Sequence, residues 1–216
     1  MHLYPPPRNY RQGNGSLSRV GRSYLRMADP VSPLLGDAIA RFATRNGLTL
    51  TWGQPAPAAV LVTVGRDRGT TAESCHIKCN GDGITLTAAD DRGTFYGLGT
   101  VEQILAQTGN AIPWFEIRDT PDFATRGVVL DISRCKVPTM ETLFDLIEAL
   151  ARLKYNQLQL YTEHTFAFVN HRTVWADASP LTAAEIRKIE SWCRERFIDL
   201  VPNLNSFGHF ERWLRH

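Results

Sequence analysis

GVVLDIS, residues 127–133, is a short and nearly continuous apolar run, the pattern of a parallel strand covered on both faces. Beyond it, Thr139 precedes a helical stripe of Leu143, Leu146, Ile147 and Leu150. QLQLYTE (157–163) then reads as a second strand. Thr182 with Glu185 three residues later forms a capping box, opening a helix that carries Ile186, Ile189, Trp192 and Cys193. IDLVPNLN (198–205) reads as a third strand. Strands separated by helix-length segments imply crossovers and a parallel sheet. Two architectures use this repeat, an open doubly wound sheet and a (β/α)8 barrel. The first strand-to-helix junction is SRCKVPT, which lacks the glycine-rich phosphate loop of the dinucleotide-binding version. The junctions instead offer Arg134, Glu163 and His164, then Asn205 and His209. Polar groups gathered at strand C-terminal ends are what a barrel site requires. Residues 118–216 are therefore expected to form an incomplete (β/α)8 barrel of about three β/α units.

Upstream, residues 1–117 read as an α+β domain, a sheet backed by two helices. Leu34, Leu35, Ala38, Ile39, Phe42 and Ala43 recur at helical spacing, and Gly47 sits where a helix end wants a left-handed residue. LTLTW (48–52) and AAVLVTVG (58–65) are strands, the second apolar enough to be central. Cys75, Ile77 and Cys79 alternate with His76 and Lys78, NGDG turns the chain, and Ile84, Leu86 and Ala88 alternate with threonines. This is a hairpin, and the two cysteines are expected to be buried strand thiols, not half of a zinc site. Asp90 or Asp91 caps a second helix bearing Phe95, Leu98, Val101, Ile104 and Leu105. Residues 1–30, with Pro5-Pro6-Pro7 and several arginines, are expected to be a partly loose lead-in with one edge strand. No acid, base or nucleophile clusters here, so a supporting role is expected.

The 216 residues carry 24 Lys plus Arg against 22 Asp plus Glu, a net charge of +2 that predicts no nucleic-acid or membrane-surface partner. No apolar run approaches the roughly 20 residues of a bilayer span. The opening MHLYPPPRNYRQ has no apolar signal region, so a cytoplasmic location is expected, or a secreted or periplasmic one if the N-terminus is incomplete. Four scattered cysteines are too few for a disulfide scaffold. Asn14-Gly15-Ser16 fits a glycosylation acceptor but is expected to be a chance match.

Four blocks in order carry a resemblance: GTFYGLGTVEQIL followed by IP, RDTPDFATRGVVLDISR, LKYNQLQLYTEHTFAF, and PLTAAEIRKIESWCRERFIDLVPNLNSFGH. They resemble the family 20 glycoside hydrolases, the β-N-acetylhexosaminidases. The resemblance implies a zincin-like N-terminal domain followed by a catalytic barrel, and a carbohydrate substrate ending in GlcNAc or GalNAc. It implies no cofactor. The family's mechanism is substrate-assisted retaining hydrolysis.

Carried over by position, Arg134 corresponds to the arginine that grips the ring hydroxyls of the terminal sugar, a role that suits a guanidinium fork. The alternative is a brace paired with a neighbouring carboxylate. His209, in Gly208-His209, matches the histidine beside the catalytic acid, and Glu163 keeps a negative charge that would orient it. Tyr161 stands in place of a histidine. His164 becomes a rim residue, touching a second sugar or solvated, and Trp213 lies near the sugar or in the core. Arg126 reads as structural, and the role of Asp131 stays open. The family's catalytic Asp-Glu pair follows its fourth strand, and no Asp-Glu dipeptide occurs in this sequence. The resemblance therefore implies a truncated chain, inactive alone. A non-catalytic carbohydrate-binding or scaffold protein is the alternative. A metal-dependent hydrolase using Glu163, His164, His171 and His209 is a third reading, although that spacing fits no established ligand motif.

Overall fold

The computed structural model describes residues 1–53, 60–134 and 136–215. In its first unit, Met1–Ala124, strands β1 (Asn9–Ser18) and β2 (Tyr24–Met27) precede helix α1 (Pro33–Arg45). Strands β3 (Thr49–Trp52), β4 (Val60–Arg66), β5 (Cys75–Cys79) and β6 (Ile84–Ala88) follow, then helix α2 (Asp91–Gln107) and strand β7 (Ala111–Asp119). The seven strands make one sheet in the order β1-β7-β5-β6-β4-β2-β3. Pairings are antiparallel from β1 to β6 and parallel from β6 to β3. The NGDG turn permits the antiparallel β5–β6 hairpin, whereas the crossover through α1 makes β2 and β3 parallel.

Register builds the core. Met27, Val64, Leu86, Ile77 and Ile117 are successive cross-strand partners, so they share one face. None is more than 1% exposed, and each such side chain contributes about 1.5–3 kcal/mol of burial. Helix α2 lies against β5 and β6, and α1 packs on α2. Ser32 caps α1, while Asp90 caps α2 by accepting from Gly93 N at 2.8 Å. Gly47 takes the left-handed conformation at the end of α1, with φ 64°. Cys75 and Cys79 are buried on β5, and burial pushes the Cys79 thiol up to about 11. Residues 58 and 59 of the expected central strand lie outside the described residues.

Three expectations change. The N-terminal segment is tied into the fold: β1 pairs with β7 along the sheet edge, and β2 lies inside the sheet between β4 and β3. Arg22 donates to the carbonyls of Asp82 and Gly81, anchoring this segment to the hairpin turn. On α2, Tyr96 is buried and Phe95 is only half-buried, because the helix is enclosed on more than one side. Finally, β7 runs to Asp119, through the expected 117/118 division, and Asp119 accepts from Arg8 N.

The second unit, Thr125–His216, contains β8 (Gly127–Asp131), α3 (Met140–Arg152), β9 (Gln157–Thr162), α4 (Arg172–Trp175), α5 (Ala183–Arg194), β10 (Asp199–Leu204) and α6 (Glu211–Leu214). Its three strands are parallel in the order β10-β9-β8, so the chain steps in one direction without the reversal of a doubly wound sheet. Thr139 caps α3, and the Thr182–Glu185 capping box opens α5. Helices α3 and α5 pack together, joined by Arg196, whose Nε donates to Glu148 at 2.6 Å while its guanidinium lies 3.8 Å from the Trp192 ring centre. At the strand N-termini, buried Asn156 accepts from Arg126 N, and Arg126 Nε donates to the Lys154 carbonyl.

Strand β8 is not covered on both faces. Val129 is 59% exposed, and β8 and β10 are the edges of the three-stranded sheet among the described residues. Leu158 and Leu160 of β9 are buried, while Gln157, Gln159 and Tyr161 form a half-exposed polar row. The pattern alternates with period two, so only one face is apolar. Among the described residues, no helix is long and apolar enough to cross a membrane.

Two outcomes follow for stability. A Cβ on Gly93 would meet the Ser74 carbonyl oxygen at 2.5 Å. Gly93→Ala should therefore destabilise the first unit by about 1–3 kcal/mol in denaturant unfolding, whereas ordinary helix propensity predicts a gain. Limited proteolysis of the 216-residue chain should cut the second unit first, because Val129 and Leu204 lie exposed on unpaired edges. The surviving core should end after Asp119, the last residue of β7; first cleavage within β1–β7 would contradict this.

Candidate functional site

The C-terminal ends of β8, β9 and β10 converge on a polar network. Asp131, Tyr161 and Asn203 are register partners, so they stand at one level of the sheet. One step further, Ser133 Oγ accepts from Glu163 N at 2.6 Å, and the Asn205 amide Nδ2 donates to the Tyr161 hydroxyl at 2.7 Å. That hydroxyl donates to Glu163 Oε1 at 2.9 Å. Three strand ends are thus tied side to side. The Glu163 side chain is 11% exposed, and its carboxylate oxygen lies 3.9 Å from Arg134 Nε.

Asp131, whose role stayed open in the sequence, holds Arg134. Its Oδ1 accepts from Ser133 N and Arg134 N, and its Oδ2 accepts from Arg134 Nε at 2.5 Å. Burial alone would raise the Asp131 carboxyl, but the Ser133 amide and the Arg134 hydrogen bonds and charge hold it below the usual carboxylate range. The same hydrogen bond raises the Arg134 guanidinium above its ordinary value. A depressed carboxyl stabilises the fold above its unfolded pKa, and that contribution disappears as pH falls through the folded value. The pair therefore persists at neutral pH and is lost as the pH falls through the depressed Asp131 value, below the usual carboxylate range.

Arg134 lies 5.3 Å from the Tyr161 ring centre, and its side chain is 58% exposed. Its Nη1 and Nη2 make no hydrogen bond among the described residues. Arg134 is both braced and available: one nitrogen is pinned, and the side chain stays more than half exposed.

Beside this network sits an aromatic group. Trp213 Nε1 donates to the Glu163 carbonyl at 2.9 Å, and its ring stacks on Phe210 with 5.3 Å between centres. Phe168 and His171 meet the same indole, at 5.3 Å and 5.4 Å. Trp213 is thus half-buried packing with a direct link to the Glu163 backbone. His164 is also half-buried; burial and then the Arg212 charge lower its pKa, with Glu163 and Asp177 opposing.

His209 is exposed on the loop after β10, with φ 52°. The expected Glu163–His209 contact is not formed, because Glu163 points to Tyr161 and Arg134 instead. Among the described residues no three His, Cys, Asp or Glu side chains converge as a metal-ligand group, so Glu163, His164, His171 and His209 do not form one. Ser133 and the Tyr161 hydroxyl are the members that the sequence does not advertise. Their only signal is position, since each lies at the end of an apolar run entering the same row of junctions.

The first unit matches the family model "Glycosyl hydrolase family 20, domain 2" over residues 1–120. The β-hexosaminidase subunit beta of Rattus norvegicus is 24% identical over 230 aligned positions, covering 98% of this chain and 43% of that protein. Among solved structures, the β-N-acetylhexosaminidase of Bacteroides fragilis superposes with TM-score 0.81 at 21% identity, covering 99% of this chain and 46% of that one. The Flavobacterium johnsoniae chitobiase gives TM-score 0.80 at 24% identity, covering 98% and 36%. At such identities the structural likeness speaks for the fold. The chain spans less than half the length of each of these three proteins. The family model covers more than half of the present sequence, and on that match the chain belongs to glycosyl hydrolase family 20.

Proposed function

We propose that this chain is the N-terminal portion of a β-N-acetylhexosaminidase that removes terminal β-linked GlcNAc or GalNAc from glycoconjugates or chito-oligosaccharides. In this reading the first unit is the supporting α+β domain, and the three parallel strands begin a (β/α)8 barrel. The observation that carries it is Arg134, pinned by Asp131 with two nitrogens open at a strand C-terminal end. A guanidinium fork of that kind suits two adjacent ring hydroxyls. The chemistry would be substrate-assisted: the N-acetyl oxygen attacks the anomeric carbon, an aspartate orients the amide, and a glutamate protonates the leaving oxygen. That Asp-Glu pair is not in this sequence, so the 216 residues supply sugar binding and not the acid. His209 keeps its assisting role beside the acid. Glu163 is reassigned from orienting His209 to the Tyr161–Arg134 network. His164 and Trp213 flank that network as rim and packing residues.

A second reading is favoured by the same open arginine taken without the acid: a non-catalytic carbohydrate-binding protein. Hydrolysis of an aryl N-acetylglucosaminide by the complete protein separates the two, since only the first reading predicts turnover.

Titration of the 216-residue chain with GlcNAc, followed by tryptophan fluorescence, tests the binding claim common to both. Arg134→Ala should weaken binding about tenfold or more, and in a protein carrying the acid should lower kcat/KM by about the same factor. Unchanged binding would make Arg134 a brace only. The 216-residue chain itself should show no hexosaminidase turnover; measurable cleavage would place the acid among residues assigned other roles here.

A further inference from the structure

A nearly buried carboxylate next to a guanidinium ordinarily closes into a paired contact, with N···O near 2.7–2.9 Å. Glu163 does not: its Oε1 stops 3.9 Å from Arg134 Nε. The Tyr161 hydroxyl accounts for the gap. It accepts from Asn205 Nδ2 at 2.7 Å, which leaves its own proton for Glu163 Oε1 at 2.9 Å. The ring of the same residue lies 5.3 Å from the Arg134 guanidinium carbon. Tyr161 therefore touches both charges, one through its ring and the other through its hydroxyl. Asp131 takes the Nε, and nothing among the described residues takes the Nη groups.

We propose that Tyr161 is a positioning residue that keeps Glu163 off the Arg134 fork, so that both Nη groups stay open to a pyranose ligand. The proposal rests on the reading of Arg134 as a sugar ligand. Without the phenol proton, the Glu163 carboxylate, with its side chain only 11% exposed, loses its donor, and the charged group beside it is Arg134. Asp131 already holds Nε, so a closing Glu163 would have to take an Nη nitrogen, one of the two that would otherwise meet the sugar. Phenylalanine keeps the ring under the guanidinium and removes only the hydroxyl, which isolates the effect. Glutamine at 163 cannot form the ion pair, so it should undo the damage.

The test uses the full 216-residue chain, with GlcNAc as the probe, in wild type, Arg134→Ala, Tyr161→Phe, Glu163→Gln, and the Tyr161→Phe/Glu163→Gln double variant. Tyr161→Phe should weaken binding about tenfold. The double variant should bind within about threefold of Glu163→Gln alone, because the hydroxyl matters only through the carboxylate. A sugar-free readout accompanies this: the Arg134 Nε–H NMR signal should shift in Tyr161→Phe and return in the double variant. A role in folding alone would move thermal stability in both variants without recovery. Wild-type binding by Tyr161→Phe, with Arg134→Ala impaired, overturns the proposal and leaves the Arg134 reading intact. Equal weakening in Tyr161→Phe and the double variant also overturns it, by making the phenol a direct ligand or a structural element. Unimpaired binding by Arg134→Ala refutes the parent reading, and the positioning role falls with it.

Discussion

The in-register parallel pairing of β8, β9 and β10 is the constraint on which the site depends. It puts Asp131, Tyr161 and Asn203 at one level, then delivers Ser133, Glu163 and Asn205 just beyond it. Because side chains alternate along a strand, a slip of one residue in β9 would exchange Tyr161 for Leu160 in that row. The buried Leu158 and Leu160 oppose such a slip, since it would turn them to the exposed polar face. Packing on one face thus fixes chemistry on the other. Asn156 secures the opposite end of the same strands, accepting from Arg126 N and, through its carbonyl, from Asp199 N.

Charge is distributed along that frame so that one cation serves two acids unequally. Asp131 is three residues from Arg134 and engages it with backbone and side chain together. Glu163 arrives from the neighbouring strand; its carboxylate accepts from a neutral donor, the Tyr161 hydroxyl, and its backbone N–H donates to Ser133 Oγ. A guanidinium pinned at Nε retains direction but not full occupancy. In the proposed reading that is the property a hydroxyl-binding arginine needs, and it makes brace and ligand compatible roles for one side chain.

Legibility in the sequence follows the range of the interaction involved. Helix starts rest on contacts three residues long, so Thr139 and the Thr182–Glu185 box were readable directly, and the cap of α2 was narrowed to Asp90 or Asp91, of which the structure uses Asp90. The Cys75–Ala88 hairpin was equally local. Strand β2 was not, because four residues become a strand only through neighbours supplied by β3 and β4. At the site, Arg134 and Glu163 were recognisable as junction residues. The contacts that tie the row together were not, since Asn205 meets Tyr161 across 44 positions and Ser133 meets Glu163 across 30. Periodicity also misled at β8, where an apolar run suggested two covered faces and Val129 is exposed.

The central claim is that a sugar meets this chain at the strand ends of the second unit. The most direct measurement is a map of NMR shift changes across the 216-residue chain as GlcNAc is added. The account predicts changes concentrated at Arg134, Tyr161, Glu163 and the Trp213 indole N–H that reports on the Glu163 carbonyl. Changes confined to the first unit, or none at millimolar sugar, would contradict it.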